Sequence, residues 1–296
     1  MDPRATHGLW ADLCRGDLSP AETDFTVIGI PYDGGASARK GARFAPGRMR
    51  FWSQHLTPYT EDRTSLRAVR VCDLGDIEII EPVRDFERVR QQTASLPNIP
   101  ILLGGDHSVT IPIFQGQRER YAARRLGVLW IDAHPDLCDE FAGSRLSHAC
   151  VLRRGLEAGI AAEDVCLVGV RSWEEQEIEL IEGGKLKVYP AAAVAESGVK
   201  MISRAVHKVL SRCEAVHISL DIDCLDPAFA PGTGIPDAGG LTTRDVITLI
   251  QSLQGLPLIG LDVVEVAPPL DASEATVFAA LKFIIEFIGV VAKGRS

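Results

Sequence analysis

The chain has 296 residues, 46% hydrophobic, 24% charged and 6% aromatic, which is enough apolar material for a large core and excludes a disordered polymer. Lys and Arg total 31 against 40 Asp and Glu, a formal net charge of -9 with no basic run, so nucleic acid and anionic membrane are poor partners and a cationic ligand is better suited. Cysteines at 14, 72, 138, 150, 166, 213 and 224 contain no C-x-x-C; they form neither a disulfide framework nor a zinc knuckle, and a reducing cytoplasm is the expected setting.

The opening MDPRATHGLWADLCRGDL lacks the basic region and apolar run of a secretory leader, so the mature chain is expected to start here, with residues 1–23 as an N-terminal extension. Apolar runs that stop at Gly, Asp or Pro predict strands over 25–30, 70–73, 100–104, 127–132, 165–170, 186–189, 215–222 and 257–264. Helices are predicted over 83–95, 147–158, 173–183, 199–212, 242–253 and 274–290, with Thr242 and Ser273 as N-caps. The stretch 275–292 is apolar enough to suggest a membrane span, but Lys282 and Glu286 would be costly in a bilayer. Their i, i+4 spacing instead predicts the solvent edge of a buried C-terminal helix. The alternation specifies an α/β fold in one domain over 1–296: three αβα layers around a mainly parallel sheet of about eight strands, with no linker or repeat.

In open parallel sheets, sites collect at the carboxyl ends of the strands, so the residues that end each run carry the information. Strand 100–104 runs into Gly104-Gly105-Asp106-His107-Ser108, whose glycines free the backbone to present His107. Strand 127–132 continues as Asp132-Ala133-His134-Pro135-Asp136, where a period of two puts Asp132, His134 and Asp136 on one side; strand 215–222 does the same for Asp221 and Asp223. Two imidazoles and four carboxylates are too many for one ion and predict a dinuclear site with carboxylate bridges. With no thiolate among them, a hard or borderline ion such as Mn²⁺ is favoured. His217, on the same strand, is read as an inert core histidine.

The segments GGDHS (104–108), DAHPD (132–136), SLDIDCLDPAFAPGTGIPDAGGLT (219–242) and DVVEVAPPLD (262–271), together with IGIPYDGGASARKGARFAPGRMR (28–50), resemble the arginase and agmatinase superfamily, the ureohydrolases, over nearly the whole chain. The resemblance implies an arginase-like, eight-stranded parallel sheet, a trimer or hexamer, and two Mn²⁺ ions per chain whose bridging hydroxide hydrolyses a guanidinium group to urea and an amine. It further implies that His107 and Asp136 hold one ion, His134 and Asp223 the other, and Asp132 and Asp221 bridge the pair. By the same resemblance His148 shuttles protons and Glu265 pairs with the guanidinium, so the implied catalytic set is His148, Glu265 and Asp136.

Members of the superfamily differ in what lies beyond the guanidinium, and the 137–147 loop carries that discrimination. Cys138 stands where arginases carry an asparagine, which weakens an arginine reading, and Ile235 replaces a common threonine. SHACVLRRGLEAG (147–159) and VGVRSWEEQE (168–177) look more like agmatinases, and Asp139, Glu140 or Glu174 could receive a distal ammonium. Arg145 points the other way, since it could hold the carboxylate of a guanidino acid. The expected reaction is therefore agmatine and water to putrescine and urea, a step of polyamine biosynthesis. The alternatives are the same chemistry on guanidinobutyrate, another guanidino acid or arginine, and a non-catalytic member that binds or regulates. A single-metal zinc deacetylase of related fold does not fit an intact two-metal set, and a non-catalytic member should have lost ligands or Glu265.

Overall fold

A strand covered on both faces needs apolar side chains pointing both ways. The eight apolar runs all form strands in the computed structural model, which describes residues 8–294, and the six inner ones are buried in this way. They are β1 (Phe25–Gly29), β2 (Val71–Asp76), β3 (Ile99–Leu103), β4 (Leu126–Ile131), β5 (Val165–Val168), β6 (Lys187–Tyr189), β7 (Ala215–Asp221) and β8 (Leu258–Val264). All pair in parallel in one sheet of order β2-β1-β3-β8-β7-β4-β5-β6. The helices are the single turn α1 (Leu9–Asp12), α2 (Ala45–Ser53), α3 (Pro82–Ser95), α4 (Thr110–Arg120), α5 (Val151–Glu157), α6 (Glu175–Glu182), α7 (Ala191–Ser197), α8 (Val199–Leu210), α9 (Thr243–Gln251) and α10 (Ala275–Gly294).

Alternation along the strands splits the core into two apolar layers. Val27, Ile101, Leu129 and Ile131 join α2, α8, α9 and α10 on one face. Ile28 and Leu102 face α3 and α4, while Val128 and Trp130 face α4 and α5, on the other. This is the predicted three-layer sandwich. Residues 8–14 do not extend from it as expected but pack into it: Trp10 and Leu13 are buried, the Trp10 indole N–H donates to Asp73 at 2.9 Å, and Cys14 bridges to Val71. Residues 1–7 lie outside the described residues.

Helix α4 went unpredicted because its pattern is masked. Thr110 to Phe114 are all buried, so no polar face shows, and Pro112 and Gly116 read as breakers. Pro112 sits in the first turn, where its missing N–H costs nothing. Gly116 is required by packing, since a Cβ there would lie 2.5 Å from the Arg90 carbonyl of α3. Helix α10 is long and apolar enough to cross a membrane, yet 78% of its most apolar window is buried inside the protein. Glu286 is buried rather than at the solvent edge expected of it. Its carboxylate accepts from Lys282 at 2.5 Å, the Glu61 backbone N–H at 2.7 Å and Gln251 at 2.9 Å, which satisfies a charge that would otherwise be costly to bury. Thr242 caps α9 as predicted, with Asp245 completing a capping box. At α10 Ser273 reaches only the Ala275 N–H at 3.3 Å, and Asp271 holds the Thr276 N–H at 2.9 Å.

Candidate active site and metal centre

Four adjacent central strands, β3, β8, β7 and β4, bring their carboxyl ends to one point, and each contributes to it. After β3, Gly105 lets the chain press against the 30–41 loop: a Cβ there would lie 1.7 Å from the Tyr32 carbonyl oxygen. Asp106 then accepts N–H groups from Gly35 at 2.7 Å and Ser108 at 3.0 Å, which fixes the turn carrying His107. The His107 ring stacks flat on Trp130 of β4, centroids 4.2 Å apart at 5°. Its Nδ1 lies 3.0 Å from Asp132, 3.2 Å from Asp136 and 3.2 Å from Asp221. His134 Nδ1 lies 3.2 Å from Asp223 and 3.5 Å from Asp132.

The convergence was expected from strand alternation, and the structure corrects that reason. Strand β4 ends at Ile131 and β7 at Asp221. Asp132, His134 and Asp136 follow in a bent segment, with Asp136 at φ 50, and Asp223 sits in a 3-10 turn whose N–H donates to Asp221 at 2.8 Å. Backbone that has left the strand, as a bend or a 3-10 turn, aims these candidate ligands, and left-handed Asp136 stores strain that the surrounding structure must hold.

Two ligand groups emerge, His107-Asp132-Asp136 and Asp132-His134-Asp223, with Asp132 common to both. Among the described residues, His107 Nδ1 and Asp132 Oδ2 are buried with no hydrogen-bond partner, although they lie 3.0 Å apart. Buried lone-pair atoms that crowd one point without a well-formed hydrogen bond are what a cation site presents. Electrostatics agree. Burial, with Asp223 and Asp136 beside it, pushes the Asp132 carboxyl up to about 6; burial, with Asp223 and Asp132, pushes Asp221 well above its usual range. Burial opposes charge on His107 and His134, yet the neighbouring carboxylates hold both imidazoles well above their usual value. Four carboxylates packed around two imidazoles concentrate negative charge at this point, which divalent cations would offset.

The far side of His107 is tied into a buried chain. His107 Nε2 and Ser219 Oγ are 2.9 Å apart, Ser219 donates to Asp262 at 2.8 Å, and Asp262 also receives Thr110 at 3.0 Å and faces His217 Nε2 at 2.6 Å. His217 is buried as expected, and its Nε2 ends this chain against Asp262. Ser219 and Asp262 were missed because both read as interior residues of apolar strands; their signal is a polar residue where a doubly covered strand should be apolar.

A cleft of about 230 Å³ opens above the cluster. Glu265 stands at its edge with a left-handed backbone, φ 59, and its Oε1 accepts the His107 backbone N–H at 2.9 Å while facing His148 Nδ1 at 3.0 Å. His148 opens a 3-10 turn capped by Ser147, and its Nε2 lies 2.8 Å from Ser37 Oγ. Burial disfavours the imidazolium, but the Glu265 carboxylate, with Asp136 and Asp106, outweighs it and lifts His148 to about 9.

Of the expected tail contacts, Glu174 and Ile235 line the cleft; Asp139, Glu140, Arg145 and Cys138 do not. Arg145 is half exposed and neutralised by Asp139 at 2.6 Å and Glu157 at 3.3 Å, so it has no free guanidinium to offer a substrate carboxylate. Asp139 is further held by Arg154 at 2.7 Å, and Cys138 is fully buried. Three lining residues escaped notice in the sequence. Arg39 donates to the carbonyls of Gly234 at 3.1 Å and Thr233 at 2.8 Å; Trp173 is exposed at the rim. Glu177 is buried and accepts the N–H groups of Leu137 and Glu174, both at 2.8 Å, and burial pushes its carboxyl up to about 7. It hid in an acidic run, and the i, i+3 spacing from Glu174 was the only signal.

The comparisons with known proteins agree with this geometry. The chain is 32% identical over 286 residues to a guanidinobutyrase of Pseudomonas aeruginosa, covering 92% of this chain and 89% of that protein. It is 33% identical over 278 residues to an agmatinase of Bacillus anthracis, covering 90% and 91%. The agmatine ureohydrolase of Thermoplasma volcanium superimposes with a TM-score of 0.84 at 30% identity, over 94% of this chain and 92% of that one. Residues 23–289 match the Arginase family, so this chain, with its His and Asp ligands converging at the ends of four parallel strands, belongs to the arginase family and is a ureohydrolase of guanidino compounds.

Proposed function

We propose that the protein is a manganese-dependent amidinohydrolase that converts agmatine and water to putrescine and urea. The observation that carries the reaction class is the pair of ligand groups sharing Asp132, with orphaned His107 Nδ1 and Asp132 Oδ2 between them. His107 and Asp136 would hold one divalent cation, His134 and Asp223 the other, with Asp132 and Asp221 between them; oxygen and imidazole donors without thiolate suit Mn²⁺. Bound there, two such ions supply Lewis acidity and lower the pKa of water.

The chain's own residues position the rest. Glu265 has Oε1 engaged by the His107 N–H and His148, which leaves Oε2 to accept N–H groups of a planar guanidinium. The oxygen of water adds to the guanidinium carbon, the carbon–nitrogen bond to the tail breaks, and the leaving amine takes a proton. His148, between Glu265 and Ser37 at the cleft wall, is placed to carry that proton. At the rim, Trp173 and Glu174 offer a π face and a carboxylate to a terminal ammonium, which favours agmatine. A guanidino acid is the second reading, favoured by Arg39: it lines the same cleft, and its other bonds are to backbone carbonyls rather than to a carboxylate.

Urea release from agmatine, guanidinobutyrate, guanidinopropionate and arginine after Mn²⁺ loading decides between them. Highest kcat/KM for agmatine supports the proposal; a guanidino acid far ahead, with that preference lost in Arg39→Ala, overturns the substrate while leaving the reaction class. We further propose a cytoplasmic, oligomeric enzyme; the seven cysteines, all buried as thiols, support a reducing compartment.

A further inference from the structure

A second cavity, a groove of about 410 Å³ between α8 and α9, shares no lining residue with the catalytic cleft. Helix α8 supplies Lys200, Arg204, His207 and Lys208, and no carboxylate lines the groove. Residues spaced i, i+4 and i+8 share one face of a helix, so Lys200, Arg204 and Lys208 form a row about 12 Å long at about 1.5 Å per residue. Three cations in a row repel one another, and none of the three has an ion-pair partner among the described residues, in a chain whose formal net charge is -9. At the floor, Ser203 is 3% exposed and its hydroxyl is buried with no hydrogen-bond partner. The opposite wall adds the hydroxyl residues Thr248 and Ser252 of α9.

We propose that this groove is a binding site for a small phosphorylated molecule, a polyanion of the di- or triphosphate class. A row of ammonium and guanidinium groups matches successive phosphates, which bond best to charged donors. An unsatisfied buried hydroxyl is costly on its own and is satisfied by an acceptor oxygen seated over it. A surface used only for solubility requires neither the aligned row nor the orphaned hydroxyl beneath it.

The test is calorimetric titration of the full-length, Mn²⁺-loaded protein with inorganic pyrophosphate and triphosphate at fixed ionic strength. Lys200→Ala/Arg204→Ala and Ser203→Ala are run alongside, together with a sulfate control. The expected result is saturable binding that weakens at least tenfold in the double variant and several-fold in Ser203→Ala, with basal urea release unchanged in both. Ser203→Ala separates a built site from mere charge, because it removes only the hydroxyl. Absence of saturable binding, equal binding by the variants, or an equal response to sulfate overturns the proposal. So does loss of a self-associated state in the double variant without loss of phosphate binding, which would assign the row to contacts between copies of the chain.

Discussion

At the floor of the cleft, His107, Asp132, Asp221 and Asp223 are each at most 4% exposed and stand where central strands end, while at the rim Arg39, Trp173 and Glu174 are exposed and stand on loops or at a helix start. The floor is cross-braced: Trp130 stacks on His107, Ser219 and Asp262 hold its far nitrogen, and backbone N–H groups of His134, Ala133 and Asp223 bond to the carboxylates of Asp132, Asp223 and Asp221. The rim has few such ties. Side chains that must converge on a cation within tenths of an ångström need rigid support, whereas contacts to a substrate tail can move with a loop. Reaction class and substrate preference should therefore be separable by mutation.

The largest effect is expected at the floor. Asp221→Ala removes a carboxylate between the two ligand groups, so metal analysis should show most of the site empty and urea release should vanish for every substrate; a variant that keeps both would break the distinction. His148→Asn should keep its metal and lose about 10²–10⁴-fold in turnover, the usual worth of a positioned proton carrier.

His148 also makes a statement about stability. Its pKa is lifted to about 9 in the fold against 6.5 unfolded, so in metal-free protein its stabilising contribution is fully present below pH 6.5 and is lost as pH rises through about 9. At about 1.36 kcal/mol per pKa unit the contribution is on the order of 3 kcal/mol. Urea unfolding of wild type and His148→Asn should differ at pH 6 and converge near pH 10. A constant gap would deny the pairing with Glu265.

Asp262→Asn tests whether the brace beneath the floor matters. It touches no ligand carboxylate, and supports of this kind are typically worth about 10–100-fold in metal affinity. Metal titration should show that loss with the fold retained; unchanged affinity would make the chain from His107 to His217 mere packing. The smallest effect belongs to the rim: Glu174→Gln should raise KM for agmatine about tenfold, as expected for losing one hydrogen bond to a charged group, and leave guanidino acids unaffected. An equal loss for all substrates would place Glu174 in the chemistry instead of the tail site.

The same contrast explains what was legible in the sequence. The six inner strands could be read because a doubly covered strand is a run of apolar residues, the edge strands β2 and β6 from shorter apolar runs, and the six candidate ligands could be picked out because they lie within five residues of strand ends. Helix α4 could not, since complete burial of its first turns erases periodicity, and Glu286 could not, since its partners Glu61 and Gln251 lie far away in sequence. The acids and Arg145 of the 137–147 loop looked like substrate contacts because charge is visible in a sequence and pairing is not; Asp139, Arg145, Arg154 and Glu157 neutralise one another. Arg39 and Glu177 were hidden for the reverse reason, being ordinary surface types brought to the cleft by folding alone.

Anomalous diffraction at the manganese edge from crystals grown with Mn²⁺ tests the central claim most directly. The account predicts two peaks per chain, one against His107 and Asp136, the other against His134 and Asp223, with the Asp132 carboxylate between them. A single peak at full occupancy, or none within reach of Asp132, would contradict it.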